Sequence, residues 1–139
     1  MMSRRKARVL AFQALYCFDA APAPLEQILA FEWEGEKLER TDETVLAFAR
    51  NLAAGTIENL PAIDEKIKKN LKGWDITRLK RVDLAVLRIS VYSLLFQKDI
   101  PAGVVIEEAI GICKDYGTEG AFKFVNGALD AIRKTECEP

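Results

Sequence analysis

The sequence contains no histidine, and this absence restricts the chemistry open to the protein more than any other feature of its composition. It excludes Ser-His-Asp and Cys-His catalysis, histidine general-base chemistry and most zinc sites. We expect no metal site and no cofactor. The 139 residues are half hydrophobic and carry a net charge of −1, which is typical of one globular unit. Only the local distribution of charge can indicate a nucleic-acid partner.

Cysteine is also scarce, because only Cys17, Cys113 and Cys137 are present and no two of them are close in sequence. Their odd number and the lack of a CxxC pair favour reduced thiols in a cytoplasmic protein over a disulfide framework or a metal site. Two are expected to be small buried side chains and the third a tail thiol. The basic N-terminus is not followed by a long apolar run, so it does not predict a secretion signal.

The residues from Arg78 to Phe96 predict one long helix with apolar side chains on almost every side. Such a helix has to be covered by neighbouring elements. Neither Gly nor Pro interrupts it, and Asp75 or Thr77 is the expected cap. A membrane span is the alternative interpretation, but four charged residues argue against it. They are Lys80, Arg81, Asp83 and Arg88.

Shorter, one-sided patterns predict six further helices around this one, and no segment has a convincing strand pattern. These helices are Ser3–Phe18, Pro24–Trp33, one from the Thr41 or Asp42 cap to about Asn59, a short one after Pro61 that ends at Gly73, Val104–Tyr116, and one from the Thr118 cap to about Lys134. Ser3 is the expected cap of the first, and Gly35–Arg40 is expected to be a charged loop. The sequence thus predicts an all-α fold of about seven helices, in two small sub-bundles that meet near Gly73. A single domain is expected over residues 1–135, with a frayed tail at 136–139.

The first helix carries four cations in its first two turns, where they oppose the helix dipole. They are Arg4, Arg5, Lys6 and Arg8. On the helical wheel Phe12 and Tyr16 lie with Arg5 and Arg8, away from the predicted core side. Arginine pairs with phosphate and an aromatic ring can stack on an unpaired base, so this stripe suits single-stranded RNA. Alternatively, the rings pack against a neighbouring helix and the cations only increase solubility.

Two other surfaces are candidates for binding. A second basic cluster is either a solvated surface or an extension of an electrostatic footprint; it consists of Lys66, Lys68, Lys69, Lys72, Arg78, Lys80 and Arg81. On the last helix, Lys123 and Asn126 are predicted to be exposed, and Phe124 partly so. Gly127 costs about 1 kcal/mol in a helix interior, which suggests a close approach by a neighbour or ligand. Simple packing between helices is the alternative.

Asp83 and Arg88 are charges within the long apolar helix. A buried Arg88 must be paired, and Glu107 or Glu108 is a candidate partner. The pair is either structural or part of a ligand contact. Glu107 and Glu108 give only a weak signal for paired-carboxylate catalysis, because adjacent helical positions point about 100° apart.

Three segments resemble the bacterial NusB family of transcription antitermination factors: SRRKARVLAFQALY from Ser3, RVDLAVLRISVYSLLFQKDIPAGVVIEEAI from Arg81, and KDYGTEGAFKFVNGALDAI from Lys114. KFVNGALD is the most specific of these motifs. Order and spacing match along nearly the whole chain, but Pro22–Leu71 resembles the family only in its helical pattern. Two positions depart from the family pattern, namely Glu107, where Asn is common, and Gly111, where a larger residue is usual.

The resemblance implies an all-helical domain of two sub-bundles that is not an enzyme. It implies binding to boxA, a short single-stranded RNA of ribosomal RNA operons, together with NusE, a small-subunit ribosomal protein, within an RNA polymerase antitermination complex. The RNA-binding residues it implies are Arg4, Arg5, Lys6, Arg8, Tyr16, Lys123, Phe124 and Asn126, to which the helical wheel adds Phe12. Asp83 and Arg88 match polar positions near the partner surfaces.

Two alternatives stay open at the level of sequence. A NusB-like domain also precedes the catalytic domain of certain ribosomal RNA cytosine methyltransferases. The second alternative is that the chain is a helical protein–protein module that has lost RNA binding. The sequence does not reveal the oligomeric state, and a homodimer is possible.

Overall fold

The computed structural model describes residues 3–71 and 76–137, and it is helical without a strand in these ranges. The α-helices are α1 (Arg4–Ala20), α2 (Leu25–Ile28), α3 (Glu43–Glu58), α4 (Leu60–Asn70), α5 (Arg81–Phe96), α6 (Ala102–Tyr116) and α7 (Ala121–Ile132). Short 3₁₀ segments lie at Glu32–Arg40 and Ile76–Arg78, and a π-helical turn lies at Arg133–Cys137. The predicted all-α class is confirmed. Among the described residues, no helix is both long and apolar enough to cross a bilayer.

Helix α5 is the centre of the fold, as predicted. Val86, Leu87 and Ile89 are fully buried, and its neighbours α1, α3, α4, α6 and α7 all contact it. Two groups of helices share it: α1 and α3 pack against each other and against α5, and so do α6 and α7. The predicted boundary at Gly73 lies outside the described residues.

The predicted start of this helix was wrong. It begins at Arg81 rather than Arg78, because Ile76–Arg78 forms a separate 3₁₀ turn. The residue before the first turn is Lys80, which makes no side-chain capping bond, so Thr77 is not the cap. The other candidate cap, Asp75, lies outside the described residues.

Side-chain caps confirm two other predicted helix starts. The Ser3 Oγ accepts a hydrogen bond from the Lys6 amide at 3.1 Å and so begins α1. Asp42 begins α3 by accepting bonds from both the amide and the hydroxyl of Thr44, at 2.8 and 2.7 Å. Each cap satisfies amide groups that a helix start otherwise leaves without a partner.

The predicted helix Pro24–Trp33 was wrong beyond its first turn. Helix α2 ends at Ile28, and the chain passes through a left-handed residue, Phe31, whose φ is 53°. This conformation is unfavourable for a bulky residue, but it places the Phe31 ring in the core with no exposed surface. The expected loop Gly35–Arg40 belongs to a 3₁₀ segment that is kinked at Gly35, where φ is 60°.

The end of the described chain is held against the bundle, although residues from 136 onward were predicted to be frayed. Glu136 pairs with Lys66 and Lys69 of α4, with N–O distances of 2.7 and 3.4 Å. The hydrogen bond from Lys66 lowers the pKa of the Glu136 carboxyl. The Cys137 thiol donates to the Leu94 carbonyl at 3.4 Å. Of the other cysteines, Cys113 is buried as predicted, and burial raises its pKa to about 12.

Two glycines provide a test of how tightly the helices pack. A Cβ at Gly55 of α3 would overlap the Tyr92 ring of α5, whereas a Cβ at Gly127 of α7 has no described atom within 4 Å. The expectation of a close chain neighbour at Gly127 is therefore not met. We expect Gly55→Ala to lower the free energy of unfolding by about 1–3 kcal/mol. We expect Gly127→Ala to raise it by about 0.5–1 kcal/mol, because alanine favours a helix interior. Urea denaturation measures both, and a stabilised Gly55→Ala variant would contradict the packing described.

Candidate nucleic-acid interface

The exposed side of α1 is smaller than the sequence predicted. Arg4 lies in solvent, Tyr16 is 39% exposed, and the side chain of Arg5 is 41% exposed. Arg8 and Phe12 are only 1% and 3% exposed, so the prediction that they face solvent was wrong. Helix α1 contacts α2, α3, α5 and α6, so more than one of its sides is covered. A helical wheel that assigns one core side cannot show this.

Arg8 is a buried cation that connects α1 to α5. One of its terminal nitrogens, Nη2, donates to the Ser93 hydroxyl at 3.0 Å, and Ser93 in turn donates to Gln97 Oε1 at 2.6 Å. Its Nε and Nη1 have no hydrogen-bond partner among the described residues. Burial lowers the pKa of Arg8 to about 10, although the charge of Glu108 raises it. Arg8 therefore connects α1 to α5 through one hydrogen bond and, at 1% exposed, has almost no surface to offer a ligand.

Phe12 forms the floor of an open depression of about 250 Å³ that we term the aromatic cleft. Its ring packs at 60° against the Tyr116 ring, with centroids 5.2 Å apart. On the opposite side, the Trp33 indole donates to Gln13 Oε1 at 3.0 Å. The lining consists of Phe12, Gln13, Tyr16, Cys17, Trp33, Val82 and Tyr116. Three of these rings are large hydrophobic groups left substantially exposed, namely Tyr16, Trp33 and Tyr116.

Arg5 lies across one side of α6. Its Nε donates to Glu108 Oε2 at 3.1 Å, and its Nη1 lies 3.7 Å from Asp115 Oδ2. Between these carboxylates, a Cβ at Gly111 would collide with the guanidinium group. The hydrogen bond to Glu108 is the largest cause of the raised pKa of Arg5. Gly111 thus leaves the space that lets Arg5 lie flat on the helix.

The other cations of α1 differ in how strongly they are paired. Lys6 Nζ lies 2.8 Å from Glu34 Oε2, so this lysine is neutralised locally. In the ranges 3–71 and 76–137, Arg4 has no carboxylate within 4 Å. Arg4 is therefore the cation at this end of α1 that is most available to an anion.

A second depression, of about 350 Å³, lies where α5 and α7 begin, and we term it the basic groove. Lys123 is exposed and Phe124 half-buried at its edge, and Asn126 is exposed further along α7. The lining consists of Arg78, Leu79, Lys80, Asp83, Thr118, Gly120, Ala121, Lys123 and Phe124. Lys123 and Phe124 also border a shallow depression along α7 that reaches Asn70 and Gly127.

Asp83 and Thr118 line the basic groove, and the nearby chain positions Val82 and Tyr116 line the aromatic cleft. Asp83 is 4% exposed and accepts two bonds from Thr118, at 2.8 Å from the hydroxyl and 3.4 Å from the amide. A Cβ at Gly117 would lie 2.6 Å from Asp83 Oδ1, so only glycine permits this approach. The predicted role of Thr118 as a cap was wrong, because Gly120 precedes the first residue of α7.

Arg88 forms a structural ion pair, with partners that were not predicted. Its Nε and Nη2 donate to the two carboxylate oxygens of Asp64 at 2.9 and 2.8 Å, and its Nη1 lies 3.8 Å from Asp19. Glu107 and Glu108 were the predicted partners, but Glu108 pairs with Arg5 instead. The bidentate pair fixes α4 to α5. Direct contact of Asp83 or Arg88 with a partner protein stays a prediction.

Sequence reasoning missed Trp33, Gln13 and Tyr116 as lining residues. Trp33 belongs to a segment that was predicted to be plain helix, and Tyr116 lies 100 positions from Tyr16 in the chain. No local pattern joins such distant residues. The one available signal was that Trp33 is a large aromatic residue between two glutamates, Glu32 and Glu34.

Comparisons with known proteins agree on one family. The model of the NusB family matches residues 5–134. The transcription antitermination protein NusB of Treponema denticola is 47% identical over 132 residues, which cover 95% of this chain and 96% of the relative. The structure of T. maritima NusB has a TM-score of 0.84 at 43% identity and covers 97% of this chain and 94% of its own. A crystal structure of antitermination factors NusB and NusE in complex with dsRNA has a TM-score of 0.83 at 31% identity. The match covers 94% of this chain and 96% of the chain in that structure.

The different surroundings of Arg8 and Arg88 predict different responses to the same substitution. Arg8→Met removes a buried charge whose Nε and Nη1 have no partner among the described residues, so we expect the free energy of unfolding to stay unchanged or rise by up to about 2 kcal/mol. Arg88→Met leaves Asp64 without its bidentate partner, and we expect a loss of about 2 kcal/mol or more. Urea denaturation of both variants measures the difference. A larger loss for Arg8→Met than for Arg88→Met would contradict these assignments.

Proposed function

This chain belongs to the NusB family, and from that premise we propose that it is an RNA-binding adaptor in transcription antitermination, without catalytic activity. We propose that it binds boxA RNA together with NusE and joins an RNA polymerase antitermination complex in the cytoplasm. The relative in complex with NusE and dsRNA supports both kinds of partner. The observation that carries the proposal is that neighbouring residues line the aromatic cleft and the basic groove: Val82 and Tyr116 line the cleft, and Asp83 and Thr118 line the groove.

The aromatic cleft is suited to an unpaired base. Tyr16 presents a substantially exposed ring, and base–aromatic stacking contributes about 1–3 kcal/mol per base. The cleft is largely apolar, and the polar groups of its lining residues are the Gln13 amide, the Trp33 indole N–H, the Cys17 thiol and the tyrosine hydroxyls. Its volume of about 250 Å³ admits a flat ring system without rearrangement of the core. Phe12 contributes from below, as the packed floor of the cleft rather than as a stacking partner.

The cations around these depressions supply the phosphate contacts. Arg4 and Lys123 are exposed, and neither has a carboxylate within 4 Å among the described residues. Arg5 and Lys6 bind RNA only by exchanging Glu108 and Glu34 for phosphates. Such an exchange replaces one anion by another, so these two residues contribute less affinity than their charge suggests. Asn126 and Phe124 extend the surface along α7.

Asp83 and Arg88 influence the binding of RNA and NusE indirectly, because they hold the elements that form the binding surface in place. Asp83 fixes Thr118 and so shapes the lining of the basic groove. Arg88 fixes α4 against α5 through Asp64. RNA and NusE that contact one rigid surface, or each other, raise each other's apparent affinity by the same factor.

The test of the proposal is a titration of fluorescent RNA by anisotropy, with boxA and a scrambled sequence, each with and without NusE. We expect boxA to bind more tightly than the scrambled RNA, and NusE to raise its affinity by about tenfold, a typical coupling between two ligands. A chain that binds NusE but neither RNA is a helical protein–protein module instead. Measuring ribosomal RNA cytosine methylation in the same samples addresses the methyltransferase alternative.

A substitution in the aromatic cleft tests the stacking role directly. We expect Tyr16→Ala to weaken boxA binding by about 5-fold to 100-fold, because it removes one stacking platform. The matched control is Phe96→Ala, since Phe96 is the most exposed large hydrophobic residue described and lies at the far end of α5. Equal affinities of the two variants would refute the assignment of the cleft. Circular dichroism checks that both variants keep their helical content.

A further inference from the structure

The guanidinium group of Arg5 lies among carboxylates of α6. Its Nε and Nη2 donate to the two carboxylate oxygens of Glu108 at 3.1 and 3.4 Å, and its Nη1 lies 3.7 Å from Asp115. Glu108, Gly111 and Asp115 follow one another at spacings of three and four residues, so they share one side of α6. The guanidinium group therefore crosses the helix at Gly111 with an acid on each side of it.

Glu108 holds Arg5 in the way that a phosphate would hold it. Two oxygens of one anion that meet two N–H groups of a guanidinium are the arrangement that arginine forms with carboxylate and with phosphate alike. With Asp115 included, two negative charges surround one positive charge, so the local net charge is −1. A phosphate that approaches Arg5 thus meets an occupied and negatively charged site.

The pair with Glu108 is not required to hold α1 in place. Ala7, Leu10 and Ala14 of α1 have no exposed surface and belong to the hydrophobic core. The side chains of Arg5 and Glu108 are 41% and 20% exposed, and ion pairs at such positions contribute little to stability. The fold therefore does not account for two carboxylates at this cation.

The paired lysines of the second basic cluster have a different role. Lys66 and Lys69 share the Glu136 carboxylate, which holds the end of the described chain against α4. Lys72 of the same cluster lies outside the described residues. The carboxylate thus fastens an element there, whereas the carboxylates at Arg5 cover a cation of the candidate interface.

We propose that Glu108, together with Asp115, makes an autoinhibitory contact that closes Arg5 to phosphate and so limits the affinity of the protein for RNA. The proposal rests on the proposed function, and it concerns the regulation of that surface rather than its extent. A phosphate reaches Arg5 only when the guanidinium group leaves Glu108, and a bare carboxylate then remains beside the bound strand. The closed state also requires Gly111, because a side chain there would occupy the space of the guanidinium group.

The test opens the contact in two independent ways. Glu108→Gln removes the competing charge, whereas Gly111→Ala displaces the guanidinium group without any change of charge. The matched control is Glu107→Gln, which removes the same charge from the adjacent, exposed position, and Glu107 accepts no hydrogen bond from Arg5 in the described structure. Each variant is made in the wild type and in an Arg5→Gln background.

Every protein is titrated at several salt concentrations with three RNA probes. These are boxA and its scrambled sequence, each with NusE, and oligouridylate alone. Thermal unfolding confirms that each variant is folded. The displaced group in Gly111→Ala is the far end of a flexible side chain, so this variant is expected to fold.

We expect Glu108→Gln and Gly111→Ala each to raise the affinity for boxA and for oligouridylate by about twofold to fivefold, the range of an exposed ion pair. The slope of log affinity against log salt should become steeper by up to about 0.7, since the phosphate contact no longer leaves a bare carboxylate. In the Arg5→Gln background, Gly111→Ala should give no gain, and Glu108→Gln should gain no more than Glu107→Gln. Glu107→Gln should act equally in both backgrounds, since it changes only the general electrostatic field.

The outcomes separate this proposal from the proposed function. If the wild type prefers boxA and both opening variants keep or lose affinity, the autoinhibitory contact is overturned and the proposed function stands. A gain that persists in full in the Arg5→Gln background also overturns the contact, because it is then a general effect of charge. If boxA is not preferred over the scrambled RNA but both variants bind oligouridylate more tightly through Arg5, the contact stands and the proposed function fails. If neither the wild type nor any variant binds RNA, both are overturned.

Discussion

The structure depends on the burial of α5 on nearly every side. A helix without a polar side cannot lie on a surface, so five other helices have to enclose it. Within α5, polarity is confined to positions where a neighbour supplies a partner: Asp83 to Thr118, Arg88 to Asp64, and Ser93 to Arg8. Each of these contacts connects α5 to a different element. The apolar side chains thus supply the driving force for folding, and the few polar ones determine how the surrounding helices are placed.

The candidate interface lies at the amino-terminal end of this enclosed helix. There the chain turns from the 3₁₀ segment Ile76–Arg78 into α5, and the segment that joins α6 to α7 comes close through Asp83 and Gly117. Because these junctions meet, aromatic side chains from α1, α6 and the segment around Trp33 collect in the aromatic cleft. Cations from the start of α5 and from α7 collect in the basic groove. Two chemically different depressions thus arise side by side.

The sequence predicted the helical class, the central helix and the caps at Ser3 and Asp42, because these depend on local periodicity and on hydrogen bonds within four residues. It failed where a long-range contact decides. Arg8 and Phe12 were placed in solvent because a helical wheel cannot show that α1 is covered on several sides. The second helix ends at Ile28, and the left-handed residue Phe31 then places its ring in the core. The partners of Arg88 and Arg5 lie 24 and 103 positions away, beyond any pattern in the sequence.

The contact between Arg5 and Gly111 has an evolutionary consequence. A guanidinium group laid across α6 occupies the space that any side chain at position 111 would need. A larger residue at 111 would therefore displace the arginine from α6, and a shorter residue at 5 would relieve the demand for glycine. In a relative that combines an arginine at position 5 with a larger residue at 111, the guanidinium group would be released from Glu108 and Asp115. Whether this arginine is paired with carboxylates of α6 would then differ between relatives according to the residue at position 111.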